Sequence, residues 1–397
     1  MEKTDKIQLA ATDNCTGCAA CASICPTNSI TMREDKEGFL QPHIDVDACI
    51  QCHKCEKTCP IISPILISTN YETQAYAAIN QDEAVRMRSS SGGMFYALAK
   101  WTIEQGGVVF GARFDENWNL VHDYTDTIEG VEPFLRSKYV QSRIGETYKQ
   151  AKEFLVSGRQ VLFVGTPCQI GGLKSYLNKD YDNLLAVDFI CHGVPSPGVW
   201  RKYLTELKQS AKEIINVIFR SKDNGWHSLT TNLTLVNKQN QEEVYIRSWY
   251  DSPYTIGFGD NIYLRKCCYD CSFKTIQRVG DLTIADAWGV DKYFPELDDN
   301  KGTSLIIIHS SKGLEVWKTI NGIISQAIPL DSALGANRRA TTSVPYNPYR
   351  TWFFRLNQYC TVQNSVRIIR TIVKYKSAVE RKIGKVTKKL GIDNANR

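Results

Sequence analysis

A mixed α/β fold of the α+β class is predicted by three observations. They are a duplicated cysteine block in the first seventy residues, an alternation of compact apolar runs with helical stretches from Tyr71 onward, and a basic helical pattern at the end. With 43% apolar and 23% charged side chains, the 397 residues have a core-forming composition. That length suffices for two or three domains of roughly 150 residues each, with boundaries expected at 1–68, 69–345 and 346–397. The opening MEKTDKIQLA lacks the apolar stretch of a secretory signal, and apolar runs such as LIII at 305–308 are too short to span a membrane, so a cytoplasmic location is expected. Thiols stay reduced there, so the 14 cysteines point to metal or redox chemistry and not to a disulfide framework.

Cys15-Thr-Gly-Cys18-Ala-Ala-Cys21-Ala-Ser-Ile-Cys25-Pro26 has the form C-x2-C-x2-C-x3-C-P, and Cys49, Cys52, Cys55 and Cys59-Pro60 repeat it 34 residues later. Three thiolates so spaced wrap one face of a 4Fe-4S cubane, while the fourth, turned away beside its proline, serves the cluster of the other half. The expected ligand sets are Cys15, Cys18, Cys21 and Cys59 for one cluster, and Cys49, Cys52, Cys55 and Cys25 for the other. SITMRED and FLQPHID around the turn KEG supply the hairpin that joins the halves. Zinc fits poorly, since its C-x2-C pairs usually stand about a dozen or more residues apart. His53, between two ligands, reads as a polar neighbour because thiolates already fill every position. The segment is a bacterial-type two-cluster ferredoxin domain, which moves one electron at a time and needs a recipient.

From Tyr71 the order is YAAI, a helical stretch over 92–105, the strand-like GGVVFGARF, a helix over 148–157, VLFVG at 161–165, a helix from Gly171, and LLAVDFI running to Cys191. INVIFR, LTTNLTLV and EVYIRSW are further β-like runs. No G-x-G-x-x-G follows a strand and no G-x4-G-K-S/T is present, so neither a Rossmann dinucleotide site nor a P-loop is supported.

Three stretches carry chemistry. Ser89-Ser90-Ser91-Gly92-Gly93 precedes a helical pattern with Met94, Phe95 and Leu98. A serine is expected to cap that helix and the glycines to open backbone N–H groups to a pyrophosphate, with an ordinary N-cap as the plainer reading. Gly165-Thr-Pro-Cys168-Gln-Ile-Gly-Gly172 places Cys168 in a turn after a buried strand, and Cys191-His192-Gly193 ends the next, where ligands of open α/β sheets sit. Arg265-Lys-Cys267-Cys268-Tyr-Asp-Cys271 adds a C-x2-C pair. Cys168, Cys191, Cys268 and Cys271 match the four thiolates of a third cubane; the same four suit a structural zinc, and the pair alone suits a redox dithiol. Cys267 and Cys360 have no assigned role.

These stretches, together with SKYVQS at 137–142, CHGVPSP at 191–197 and GDLTIADAWG at 280–289, resemble the coenzyme F420 hydrogenase/dehydrogenase beta-subunit family. That family also includes a chlorophyll-cycle reductase and a divinyl-chlorophyllide reductase. The resemblance runs from about residue 70 to 345 and implies a mixed α/β flavin and iron-sulfur domain. It implies that Cys168, Cys191, Cys268 and Cys271 hold a third 4Fe-4S cluster, and that Ser90, Ser91, Gly92, Gly93, Lys138, Tyr139, Asp286 and Trp288 lie at an FAD. Where the family pattern has Gly-Asp before the tryptophan, this chain has Ala285-Asp286; the added methyl narrows that turn and weighs against the deazaflavin coenzyme as acceptor.

The implied activity is that of an iron-sulfur flavoprotein oxidoreductase. Electrons pass between a ferredoxin or other redox partner protein, the clusters and FAD, and a hydride leaves the flavin for a small-molecule acceptor. The acceptor is coenzyme F420 or another organic substrate, such as a polysaccharide-pathway intermediate. His192 is the proton donor best placed by motif. The alternative is a non-catalytic electron-transfer subunit serving a separate enzyme. Between Val366 and Leu390 nine basic residues stand against Glu380, so this stretch carries +8 of a total of +6 and the remainder sums to about −2. No nucleic-acid partner is expected from that distribution. Val366, Ile369, Val373, Ile383, Val386 and Leu390 alternate with lysines and arginines as an amphipathic basic helix. Such a helix can lie on the inner membrane face or pack on its own domain.

Overall fold

The computed structural model describes residues 6–66 and 71–389, with side chains through Arg381; the boundary expected near 68 and Leu390 of the tail lie outside this range. The two cysteine blocks fold alike. Short helices Ala20–Ile24 and Lys54–Thr58 each follow a left-handed residue placed after the second cysteine of the block, Ala19 (φ 61) and His53 (φ 57). Between them β1 (Ile30–Glu34) pairs antiparallel with β2 (Leu40–Ile44), Ile30 facing Ile44. His53 Nδ1 meets Glu56 Oε2 at 2.6 Å, as a polar neighbour should.

The body is built on β3 (Gln74–Asn80), β4 (Val108–Phe114), β5 (Leu120–Thr125), β6 (Val161–Val164) and β7 (Leu184–Phe189), followed by β8 (Ala211–Ser221), β9 (Thr230–Asn237), β10 (Glu242–Ser248), β11 (Leu282–Asp286), β12 (Ser304–Ile308) and β13 (Ile323–Ile328). Eight of them form one mixed sheet in the order β13-β3-β12-β11-β7-β6-β4-β5, and β10-β9-β8 form a separate antiparallel sheet. The central strands β11, β7, β6 and β4 are parallel, and the outer pairs are antiparallel. Parallel strands are covered on both faces and so read as unbroken apolar runs; VLFV of β6 is buried at every position. Leu162 and Val164 face helix Met94–Glu104, while Val161 and Phe163 face helices Thr147–Val156 and Pro167–Leu177.

Three helix starts differ from the sequence reading. The helix expected from Gly171 begins at Pro167, because proline is at home at the first helical position and Thr166 and Gln169 form a capping box. Cys168 therefore stands in the first turn of that helix and not in a loop before it. The 94–104 helix is not capped by a serine: its N-cap is Gly93 at φ 87, without a side-chain cap. The terminal basic helix starts earlier than its pattern, at Val362, and Val362, Val366 and Ile369 are core residues packed with Trp200, Tyr254 and Phe353. Among the described residues no helix is long and apolar enough to cross a membrane.

The N-terminal unit is held to the body by a buried joint. Arg265, 1% exposed, donates from Nε to Cys15 O (2.6 Å), from Nη1 to Gln141 Oε1 (3.1 Å) and from Nη2 to Leu40 O (2.9 Å). Gln141 Nε2 returns a bond to Thr16 O at 2.8 Å. Arg350 clamps the Glu37 carboxylate and also donates to Leu264 O (2.9 Å). Gly38 and Gly198 meet backbone to backbone, so that a Cβ on Gly38 would fall 2.4 Å from Gly198 Cα. Arg265→Met leaves two buried acceptors and the partly buried Leu40 O without their donor, each buried one costing about 1–3 kcal/mol. The N-terminal unit should then unfold and become protease-sensitive ahead of the body. A single unfolding transition at the wild-type midpoint would contradict the joint.

Candidate functional site

Cys15, Cys18, Cys21 and Cys59 line one small cavity with Leu9, Ala10, Met32, Pro42 and Ile61. These are the four residues that crossed-ligand spacing assigns to one cluster, so the donor set fits a 4Fe-4S group in an apolar shell. Burial pushes the Cys18 thiol up to about 11, and Cys15 and Cys59 add to the shift. The second set is shallower: Cys52 is exposed, and Cys49 and Cys25 are half-buried. The first site is therefore the inner one. Its Cys18 packs so closely on the 167–177 helix that a Cβ on Gly172 would fall 2.9 Å from Cys18 Cβ and 3.1 Å from Sγ.

That same helix carries Cys168 in its first turn, beside Thr166 Oγ1 (3.1 Å). The Cys168 thiol is pushed up by burial and then by Cys271, Cys191 and Cys268, whose charges it feels. Burial likewise lifts Cys191 to about 12, with Cys268 and Cys271 contributing. Strands β6 and β7, the 167–177 helix and the 266–270 turn thus gather the four thiols from distant segments. Cys268 Sγ accepts from Val194 N at 3.5 Å, and the hydrogen bond of its own thiol to Cys267 raises that thiol most, ahead of burial. Zinc would need sulfurs about 2.3 Å from one ion; among the described residues no group of three or more His, Cys, Asp or Glu is placed to hold a single ion. Lys274 donates to Cys191 O and to Arg339 O, setting a cation beside the group.

A cavity of about 680 Å³ opens at the carboxyl ends of the parallel strands, bounded by Ala112 of β4, Thr166 after β6, Cys191 and His192 after β7, and Asp286 of β11. Ligands of open α/β sheets bind at such ends. Ser90, Ser91, Gly93, Lys138, Tyr139, Asp286 and Trp288 are on its wall, as is Ala285, whose side chain packs on the cluster of Ala77, Ala287 and Leu305. Gly92 is not. Its N–H is donated to Ser304 Oγ (2.9 Å), and a Cβ would fall 2.3 Å from Ala78 O, so this glycine serves close packing on β3 and β12. Ser90 Oγ accepts from Ser137 N (2.7 Å), and Ser91 Oγ donates to Thr303 O (2.7 Å). Lys138 Nζ donates to the carbonyls of Phe134, Leu135 and Arg136, and burial lowers it to about 7. Tyr139 lies edge-on to Trp249 at 4.7 Å and against Phe258 at 4.8 Å. His192 Nε2 meets Asn261 Oδ1 at 2.6 Å, and burial holds the ring neutral, at about 4.

Sequence reasoning missed Arg136, Arg220, Arg338 and Arg339, which also line the cavity. Among the described lining residues Asp286 is the single carboxylate, so the cavity is strongly cationic. Arg136 adopts φ 72, a costly left-handed conformation for a long side chain. Arg220 pairs with Asp286 and lies 5.4 Å from the ring of Trp288, which stacks on Trp226 at 4.6 Å. Burial alone would lower the Arg220 pKa, but the Asp286 carboxylate and Tyr139 raise it. A cation ending the INVIFR run was the available signal. Asp286→Ala strands Arg220, whose side chain is 7% exposed, without its partner. Breaking such a buried pair costs about 3–5 kcal/mol, to be read from the denaturant midpoint, with Asp286→Asn losing less. Wild-type stability in the alanine variant would contradict the pairing.

Residues 158–328 match the family described as the C terminus of the coenzyme F420 hydrogenase/dehydrogenase beta subunit, and residues 14–61 match the 4Fe-4S dicluster domain. An F420H2 dehydrogenase subunit of Methanosarcina mazei is 23% identical over 167 residues, 40% of this chain and 46% of that protein. The coenzyme F420-dependent sulfite reductase of Methanocaldococcus jannaschii is 28% identical over 170 residues, 40% of this chain and 24% of that protein. The chain thus spans half or less of the length of these two relatives. A chain from the xenon-derivatised F420-reducing NiFe hydrogenase complex of Methanosarcina barkeri overlaps 72% of this chain and all of its own length, with 14% identity and a TM-score of 0.42. The chain therefore carries, at 158–328, the C-terminal domain of the coenzyme F420 hydrogenase/dehydrogenase beta-subunit family, preceded at 14–61 by a 4Fe-4S dicluster domain.

Proposed function

We propose that the chain is an iron-sulfur flavoprotein oxidoreductase that passes electrons between a redox partner protein of the ferredoxin type and a small organic acceptor. One observation carries this reading: Cys18 of the inner ferredoxin site packs on the helix bearing Cys168, and Cys191 of the same four-thiol group lies on the wall of the cationic cavity. The order is therefore outer cluster, inner cluster, third cluster held by Cys168, Cys191, Cys268 and Cys271, then cavity. Buried thiols pushed this far up stay protonated on their own, and a cationic iron core is what would hold them as thiolates.

FAD, when bound, supplies single-electron exchange with clusters and two-electron exchange with an organic acceptor. Arg136, Lys138 and Arg220 would face its anionic part, and Tyr139, edge-on to Trp249 and tilted against Phe258, supplies an aromatic corner. His192 is neutral, and with Nε2 engaged by Asn261 its Nδ1 is the atom able to take or return a proton. Ala285 on the cavity wall, where the resembled family pattern has glycine, favours an organic acceptor other than the deazaflavin coenzyme, such as a polysaccharide-pathway intermediate. The reaction is assigned to the cytoplasm, at the inner membrane face reached by the basic tail.

A non-catalytic electron-transfer subunit is the second reading, favoured by a relative that is itself named a subunit. Reduction of an organic acceptor by the isolated chain separates the two. Anaerobic reconstitution should give about twelve iron atoms and about one flavin per chain, and Cys268→Ala should remove about four of the iron atoms. Iron near eight in the wild type contradicts the third cluster, and absence of flavin contradicts the flavoprotein.

A further inference from the structure

The Val362–Lys389 helix changes character along its length. Its first turns are core: Val362, Ser365, Val366 and Ile369 are 0–2% exposed, and the Glu206 carboxylate accepts from Val362 N at 2.9 Å. From the next turn the apolar side chains emerge, with Ile372 37%, Val373 41%, Tyr375 71% and Val379 54% exposed. Ile372, Tyr375 and Val379 recur at three- and four-residue spacing and share a face, on which Lys376 also stands, whereas Lys374 and Arg381 fall on the opposite one. In sequence the apolar spacing goes on through Ile383 and Val386, among Lys382, Lys385, Lys388 and Lys389.

We propose that this helix, beyond Arg370, lies in the headgroup region of an anionic membrane, with Ile372, Tyr375 and Val379 inward and the basic residues among the headgroups. Charge selects this occupant. A second copy would oppose two stretches of +6 each beyond Arg370, and a nucleic acid would leave the apolar face in water. An anionic lipid surface satisfies both faces at once, because the acyl boundary takes the apolar stripe and the headgroups attract lysine and arginine. The helix meets the surface lengthwise and does not span it, since no described helix can. The proposal rests on the placement at the membrane face and not on the redox reading, so either can fail alone.

Flotation of the full chain tests it, with vesicles of phosphatidylcholine alone and of phosphatidylcholine mixed with phosphatidylglycerol. Binding should require phosphatidylglycerol and weaken as salt rises. It should fall about tenfold or more in Ile372→Asp/Val379→Asp and also in Lys374→Glu/Arg381→Glu. These positions are exposed, so both variants should keep the wild-type unfolding midpoint and cluster absorbance. No binding to anionic vesicles, equal binding to both kinds, or wild-type binding by both variants overturns the proposal. So does retention on RNA in place of vesicles, or concentration-dependent dimerisation abolished by the same substitutions.

Discussion

The guanidinium of Arg265 is the contact on which the rest of the molecule depends. It is buried, it sits three residues before Cys268, and its bonds end on the carbonyls of Cys15 and Leu40 in the N-terminal unit. A buried cation is tolerable only where every donor is met. These carbonyls and Gln141 take one bond from each of its three nitrogens, which fixes the first cysteine block against the segment that supplies Cys268 and Cys271. Neighbouring contacts depend on that register: Cys18 fits against Gly172, and Gly38 against Gly198.

Proximity of the inner ferredoxin site, the four thiols and the cavity is thus a packing result. Helix 167–177 has its flank on Cys18 and its first turn at Cys168, and β7 delivers Cys191 both to the thiol group and to the cavity wall. The cavity in turn owes its charge to residues from the second sheet and from loops, Arg220 and Arg136 among them, held by Asp286 and by backbone carbonyls. The large sheet supplies a rigid edge, and the three-stranded sheet supplies the cation that the edge itself lacks.

Local chemistry was legible in the sequence, and long-range chemistry was not. The eight N-terminal cysteines could be sorted into sets because a cubane imposes its spacing within a few residues, and four of them line a common cavity. Strands β6 and β7 were plain because burial on both faces leaves unbroken apolar runs. The proline of Thr166-Pro167 hid a helix start by resembling a turn. Gly92 suggested an open N–H, but that N–H is spent on Ser304, 212 residues away. Arg265 was visible only as the first letter of a cysteine motif, since its partners lie 225 and 250 residues distant. In the tail, the periodicity was right but its first turns belong to the core.

The central claim is that the inner ferredoxin site, the four-thiol group and the cavity form one conducting line. An anaerobic redox titration of the reconstituted full chain, followed by electron paramagnetic resonance, tests it most directly. The account predicts three reducible 4Fe-4S centres, with magnetic interaction between the inner ferredoxin cluster and the cluster held by Cys168, Cys191, Cys268 and Cys271. Two interacting centres only, with no third signal at any potential, would contradict it.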